Sequence, residues 1–144
     1  MGRKSPWRRD RGNGFTLVEL LVVLAILGML VAIAVPQLMR SLERAKVDTA
    51  HVQLEKLGSI LDLYRLEVGQ YPGEEDGLRA LIEAPANPER WNGPYLKNRE
   101  ALMDPWGNPY VYRLPGEHGE YDLYSTGADG KGGGDGNNAD ITNW

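Results

Sequence analysis

The stretch Gly14-Phe15-Thr16-Leu17-Val18-Glu19 opens an apolar run, FTLVELLVVLAILGMLVAIAV, that extends from Phe15 to Val35. Glu19 is the only charged residue in this run, and no proline occurs before Pro36. About 20 apolar residues are enough for one helix to cross a bilayer, so the run predicts a transmembrane helix. A carboxylate at the centre of such a helix costs about 2.5–3.5 kcal/mol, and less near its end. Because a charge in this helix is unfavourable on its own, Glu19 indicates that a specific partner group binds its carboxylate.

The residues before the run are strongly basic. Five Arg and Lys residues against one acid give positions 1–14 a net charge of +4. Basic flanks of a membrane helix stay on the cytoplasmic side, so residues after about Val35 should lie outside. A secretory signal carries its cleavage site after the apolar region, whereas the small residue here, Gly14, precedes it. Cleavage after Gly14 would remove a basic leader, residues 1–14, and leave the helix on the mature protein.

With this arrangement the chain resembles type IV pilins and pseudopilins. The resemblance implies cleavage between Gly14 and Phe15 by a prepilin peptidase, followed by N-methylation of Phe15. It also implies that the Glu19 carboxylate pairs with the N-terminal ammonium of Phe15 on a neighbouring subunit. Opposite charges in lipid offset part of each other's desolvation penalty, so this pairing would set the register between subunits. The alternative is a plain signal anchor with a stray acid near its end.

Composition limits the remaining options. The 144-residue chain has no cysteine, which excludes disulfides and zinc–thiolate sites. The whole chain carries −4, so removing a leader of +4 leaves −8. An acidic exported protein is a poor nucleic-acid binder, and we expect no nucleic-acid partner. The part after the membrane run is enough for one small domain, which often needs a staple such as a metal.

The apolar pattern continues after the membrane run as a helical stripe. Residues 37–68 contain no proline and one glycine, Gly58. Apolar residues recur at alternating spacings of three and four, which predicts an amphipathic helix over 37–68 packed on a domain core: Val47, Ala50, Leu54, Leu57, Leu61, Tyr64 and Val68. The two halves together predict one helix from Phe15 to about Glu67.

Gly28 and Pro36 are the two residues that could weaken this helix. Glycine has a low helix propensity, and proline removes a backbone donor and clashes with the preceding turn. We therefore expect residues 28–36 to loosen when subunits pack into a fibre, which the resemblance also implies. The alternative is that both residues are tolerated, as they often are in membrane helices. The sequence favours neither reading.

The remainder reads as a variable segment, 69–109, followed by a β-hairpin, 110–124. Gly69-Gln70-Tyr71-Pro72-Gly73 predicts a turn that ends the long helix. Residues 76–84 predict a short helix. Alternating residues over 110–114 and 120–124, joined by a loop at 115–119, predict the two strands of the hairpin.

Several phrases of this half resemble the major pseudopilins of type II secretion systems. They are Gly69-Gln70-Tyr71-Pro72, Trp91-x-Gly93-Pro94-Tyr95-Leu96, Asp104-Pro105-Trp106-Gly107-Asn108-Pro109-Tyr110 and the ending Ala139-Asp140-Ile141-x-Asn143-Trp144. The resemblance covers residues 14–144, although the leader is longer and more basic than the family pattern. It implies a structural, non-enzymatic subunit of the periplasmic pseudopilus, the fibre that drives export of folded proteins across the outer membrane.

The tract 127–140, GADGKGGGDGNNAD, allows two readings. Its glycine content predicts no regular element and fits a solvated tail. Against this, Ile141 and Trp144 could anchor the tract, which also concentrates oxygen ligands of the kind that calcium binds. The spacing does not match an EF-hand. The resemblance implies a calcium-binding loop over 125–144, with side-chain ligands Asp129 and Asp140, a less certain Asp135, and backbone carbonyls near Leu123, Ser125 and Ala128.

Catalytic patterns are weak. Gly134-Asp135-Gly136-Asn137-Asn138-Ala139 fits G-x-G-x-x-A, but a dinucleotide site needs a strand before it, a helix after it and a further acid about 20 residues on. The two histidines, His51 and His118, have no partners at catalytic spacing, and we expect both at the surface. The competing functions are a type IV pilin of a surface fibre and a membrane-anchored calcium-binding module that never polymerises.

The sequence thus predicts an α+β, type IV pilin-like fold. A long N-terminal helix, with a membrane half and an amphipathic half, packs on a small C-terminal domain with a short antiparallel sheet and a calcium loop. The expected partners are other copies of the chain, minor pseudopilins, the inner-membrane assembly platform, prepilin peptidase and the membrane itself. We expect residues 15–36 to cross the inner membrane and residues 37–144 to lie in the periplasm.

Overall fold

The computed structural model describes residues 14–86 and 90–144. The predicted leader, up to Asn13, therefore lies outside the described residues. The chain divides into two compact units, one ending at Met39 and the other covering Arg40–Trp144. The two units differ in how their apolar side chains are packed.

The long helix, α1, runs over Leu17–Val68, as the sequence predicts to within two residues at its start and one at its end. Thr16 begins it: the Glu19 N–H donates to the Thr16 hydroxyl at 3.2 Å, the hydrogen bond of an N-cap. Gly28 and Pro36 both have helical backbone. Because Pro36 has no N–H, the carbonyl four residues earlier lacks its usual donor. Loosening of 28–36 on assembly stays a prediction.

The N-terminal unit buries no apolar side chain within itself. Every apolar side chain of its helical part is exposed, and Phe15 is 82% exposed. Among the described residues, α1 is the one helix that is long and apolar enough to cross a membrane. A surface of this kind needs lipid or other apolar helices around it.

The C-terminal unit has one core, built on the predicted stripe of α1. Ala50, Leu54, Leu57, Leu61 and Tyr64 are buried, and the two ends of the stripe are half-buried. The rest of the domain covers this stripe with six large apolar residues: Leu78, Leu81, Leu96, Tyr110, Leu123 and Ile141. The stripe is thus the face of a core helix, as its spacing indicates.

The helix predicted over 76–84 is wrong in its extent. The structure forms one 3₁₀ turn, Gly77–Leu81. The Leu81 carbonyl accepts hydrogen bonds from the N–H groups of Tyr95 and Leu96, at 2.8 and 3.0 Å. An α-helix would pair this carbonyl with residue 85, which is a proline without an N–H, so the helix cannot continue. A second 3₁₀ turn, Arg99–Leu102, was not predicted; the Asn98 side chain caps it.

The hairpin is confirmed, and a third strand joins it. Strands β1 (Val111–Arg113), β2 (Asp122–Ser125) and β3 (Ile141–Thr142) form an antiparallel sheet in the order β1-β2-β3. Tyr112 lies opposite Leu123, and Ser125 lies opposite Ile141. The strands are shorter than predicted. β2 begins at Asp122 rather than at residue 120, and the Asp122 carboxylate accepts hydrogen bonds from the loop N–H groups of Glu117 and His118.

The hydrogen bonds around Asp122 predict that its carboxylate stabilises the fold and that acid removes this stabilisation. Burial works to raise the pKa of Asp122, but hydrogen bonds from the backbone N–H groups of Glu117 and His118 and from the His118 ring outweigh it and lower that pKa. A lowered pKa in the fold stabilises the protein above the unfolded value of 3.8, and this stability is lost as the pH falls through the folded pKa.

We therefore expect Asp122→Asn to destabilise the domain at a pH well above 3.8, with a gap to the unchanged protein that narrows as the pH falls below 3.8. Thermal melts across this range measure the gap. Asp48→Asn, which changes an exposed acid of α1, is the control and should show no such closing. A gap for Asp122→Asn that is equally wide above and below pH 3.8 would contradict the role of the carboxylate.

Candidate functional site

The first candidate site is the start of α1. Phe15 and Glu19 are both exposed, and Glu19 lies in the first helical turn. A carboxylate there interacts favourably with the positive end of the helix dipole. Thr16 and Glu19 also have the spacing of a capping box, in which the acid can reach back to the N-cap amide. Glu19 forms no ion pair within the described residues, and its side chain is exposed.

The second candidate site is the loop between β2 and β3, residues 126–140. Its two ends lie against each other: the Ala128 N–H donates to the Asn137 carbonyl at 3.0 Å. Contrary to the expectation from glycine content, the loop contains one regular turn, the 3₁₀ turn Gly136–Asn138. Ile141 is buried and pairs with β2, which confirms it as an anchor.

Trp144 also anchors the chain end. Its indole ring stacks on the His118 ring, with centroids 4.1 Å apart and planes 4° from parallel. It meets Tyr124 edge-on at 5.9 Å. His51 and His118 are exposed, as the sequence predicts. The loop is therefore held at both ends, which a solvated tail would not be.

The predicted calcium ligands have different surroundings. Asp129 and Asp135 are exposed, and Asp140 is half-buried. One Asp129 oxygen accepts the Lys131 N–H at 3.1 Å, and Asp140 Oδ2 accepts the Gly133 N–H at 2.9 Å. The side chain of Asp135 does not cap the turn that follows it. Within residues 14–86 and 90–144, no three acidic or histidine side chains converge in a metal-binding cluster.

One oxygen atom of this loop is placed as a cation ligand would be. Asp140 Oδ1 is buried and has no hydrogen-bond partner among the described residues. A buried carboxylate oxygen without a partner is costly, and a hard cation such as calcium satisfies it. Since the acids do not form a cluster, an ion here would draw much of its shell from backbone and amide oxygens, which calcium accepts. The residues present therefore fit calcium, and Asp140 is the acid whose surroundings fit a cation best.

At the start of the loop, Gly127 lies close to the backbone of the loop's other end. Gly127 has φ +66°, and a Cβ there would lie 2.8 Å from the Ala139 carbonyl oxygen. We expect Gly127→Ala to lower the free energy of unfolding by at least about 1–2 kcal/mol, the cost of left-handed backbone for a residue with a Cβ. Denaturant melts measure this loss. Gly132→Ala is the matched control, since its Cβ would meet nothing within 4 Å. Equal effects of the two would contradict this packing.

Sequence reasoning missed a buried polar group beneath the loop. The carboxylate of Asp104 is buried and accepts hydrogen bonds from Trp106 N–H, Asn108 N–H and the Ser125 hydroxyl, at 3.0, 2.8 and 2.6 Å. The Asp-Pro and Asn-Pro pairs of 104–109 do indicate a turn that a side chain caps. No local signal indicates the contact with Ser125, which lies 21 residues further along the chain.

Comparison with known proteins gives a consistent result over the whole described chain. The family model described as "Type II secretion system (T2SS), protein G" matches residues 37–144, and a model of the prokaryotic N-terminal methylation motif matches residues 9–35. The type II secretion system core protein G of Pseudomonas aeruginosa is 47% identical over 141 residues, covering 95% of this chain and 98% of that protein. Its counterpart in Vibrio cholerae is 44% identical over 135 residues, covering 92% and 91%.

A solved structure agrees with these relatives. The crystal structure of the major pseudopilin from the type 2 secretion system of enterohaemorrhagic Escherichia coli superimposes with a TM-score of 0.60 at 37% sequence identity. The match covers 76% of this chain and 95% of that one.

Proposed function

The chain belongs to the protein G family of the type II secretion system, the major pseudopilins, and from this we propose that it is cut between Gly14 and Phe15, methylated on Phe15 and polymerised into the periplasmic pseudopilus. It is a structural subunit of that fibre, and we expect no catalytic activity. The observation that carries the proposal is the methylation motif at the start of one continuous helix, α1, whose second half forms the core of the family domain.

Assembly is expected to use the exposed apolar face of the N-terminal unit. In a bundle of such helices, the apolar side chains contact one another, and Glu19 is the one charge inside the run. Its partner is the ammonium of Phe15 on the next subunit, a group that exists only after cleavage. Burial of one charge without the other would be strongly unfavourable, so the pair favours one register between subunits.

The charge distribution supports a topology with the leader in the cytoplasm and the Arg40–Trp144 unit in the periplasm. Before assembly, the subunit is expected to sit in the inner membrane, where prepilin peptidase and the assembly platform would act on it. Minor pseudopilins are the expected partners at the tip of the fibre. The mature charge of −8 makes nucleic acid an unsuitable partner.

Calcium is the proposed staple of the β2–β3 loop. Asp140 and Asp129 would hold it, with carbonyls near Leu123, Ser125 and Ala128, and Asp135 is a further candidate ligand. An ion held there would supply positive charge to the unpartnered Asp140 oxygen, and ligands from both ends of the loop would be fixed by it. A small domain without disulfides gains stability from such a closure.

Export and fibre formation in cells test the function. Deleting the gene is expected to abolish the appearance of the system's substrates in the medium, and the unchanged gene should restore it. Long surface pili, seen by electron microscopy, should be unaffected. Loss of surface pili together with normal export would instead identify a type IV pilin.

A further inference from the structure

The buried Asp104 has an unusual position for a carboxylate. Both of its oxygens are used by the chain itself: Oδ1 by two backbone amides of its own turn, and Oδ2 by the Ser125 hydroxyl. With these donors in place Asp104 does not need an ion, in contrast to Asp140. Its hydrogen bonds instead join the turn 104–109 to the end of β2.

Two residues, Ser125 and Asn108, link Asp104 by hydrogen bonds to the backbone N–H and carbonyl of Gly127. The Gly127 N–H donates to the Ser125 hydroxyl oxygen at 3.1 Å, and that hydroxyl donates to Asp104. The Gly127 carbonyl accepts from the Asn108 side-chain amide at 2.9 Å, and the Asn108 backbone N–H donates to Asp104. Both peptide groups that flank Gly127 are therefore fixed by one carboxylate.

Gly127 is the residue at which the loop leaves β2 in left-handed backbone. Its orientation determines where the neighbouring carbonyls point, including those near Ser125 and Ala128 that the proposed ion would use. A second contact extends the same anchoring: the Asn108 side chain lies 3.1 Å from where a Cβ of Gly130 would be. The first half of the loop thus rests on the 104–109 turn.

We propose that Asp104 is the positioning residue of the calcium loop, which fixes the backbone of Gly127 through Ser125 and Asn108 and so sets the carbonyl ligands before the ion arrives. This inference rests on the proposed calcium site and adds a residue outside its ligand set. The energetic reason is preorganisation: a loop already held in its bound conformation loses less conformational entropy on binding.

The same turn reaches the long helix. The Trp106 N–H is held by Asp104, and its indole N–H donates to Glu43 Oε2 at 3.2 Å. The loop is thereby connected, through Asp104 and Trp106, to the first turns of the Arg40–Trp144 unit. Calcium bound to this preorganised loop should for this reason also slow hydrogen exchange at the amides of Trp106 and Asn108.

Calcium titration of the detergent-solubilised full chain tests the proposal. Asp104→Asn keeps the size of the side chain but places an amide donor towards Ser125, and Ser125→Ala removes the hydroxyl while leaving Asp104 and its turn intact. We expect each to raise the calcium Kd at least about tenfold. Tyr95→Phe is the control: it removes a hydroxyl that bonds Glu67, away from the loop, and should leave the Kd unchanged.

A second readout separates positioning from a general loss of stability. The rise in melting temperature on adding calcium reports the ratio of calcium concentration to Kd. A merely structural role would lower the melting temperature with and without calcium equally, as Tyr95→Phe should. Positioning predicts that the calcium-dependent rise shrinks in Asp104→Asn and Ser125→Ala.

The outcomes are distinct. If the unchanged protein shows no calcium binding, the proposed calcium site is wrong and this inference falls with it. If the unchanged protein binds calcium and both variants bind it with the same Kd, only the role of Asp104 is overturned. A raised Kd in Ser125→Ala supports the inference even where Asp104→Asn does not fold.

Discussion

Glu19→Ala and Glu19→Gln subunits are expected to enter the membrane and be cleaved, yet to yield at least tenfold fewer cross-linked multimers than the unchanged protein. The physical reason is the unpaired ammonium of Phe15, which in the fibre would be left in an apolar bundle without its counter-charge. Removing one partner of a buried ion pair costs about 3–5 kcal/mol. A cost of this size at every interface is enough to prevent polymerisation.

Glu19→Gln makes this test specific. Glutamine keeps the size of the side chain and can replace glutamate in a capping box, so α1 should begin as before. Only the charge is lost. Because the chain has no cysteine, a single introduced cysteine in the Arg40–Trp144 unit gives site-specific cross-links between subunits. Normal multimers from Glu19→Gln would show that Glu19 serves the start of the helix and not the pairing of subunits.

Removal of calcium is expected to lower the melting temperature of the Arg40–Trp144 unit by on the order of 10 °C. An ion at 100 times its Kd adds about 2.7 kcal/mol to the free energy of unfolding. For a domain of about 100 residues, each kcal/mol shifts the melting temperature by roughly 4–8 °C. The loss would arise because the buried Asp140 oxygen would again have no partner and the proposed ion would no longer hold the loop ends together.

Thermal melts of the full chain in detergent, with calcium and with a chelator, measure this shift. Asp140→Asn should abolish the difference between the two conditions, because it removes the acid whose surroundings fit a cation best. Asp48→Asn, an exposed acid on α1, should retain the full difference. A melting temperature that is the same with calcium and with chelator in the unchanged protein would show that the loop between β2 and β3 has no stabilising calcium site.

Local patterns predicted the long helix well. The spacing of Leu54, Leu57 and Leu61 identifies the buried face because helical periodicity places these residues on one side, whatever packs against them. The hairpin was equally local, since its strands are close in sequence. Strand β3 was missed because two residues carry no alternation, and its pairing with β2 joins positions 16 residues apart, Ser125 and Ile141.

The prediction of the calcium ligands depended more on the family resemblance than on the spacing of residues. Spacing alone left the glycine-rich loop open between a solvated tail and a metal site, and the ligand set came from the family. The structure adds two features that no local signal indicates: the unpartnered oxygen of Asp140 and the contact of the buried Asp104 with Ser125. Both are consequences of tertiary packing, since they depend on which residues of distant segments come into contact.

The mass of the N-terminal peptide of fibre-assembled subunits tests directly whether the chain is cut after Gly14, methylated on Phe15 and polymerised. Fibres sheared or purified from cells that overproduce the secretion system provide the material, and mass spectrometry of the digested subunit gives the peptide. We expect every assembled subunit to begin at Phe15 and to carry one methyl group on its amine. Assembled subunits that begin at Met1, or a cleaved protein that is found only as monomers, would contradict it.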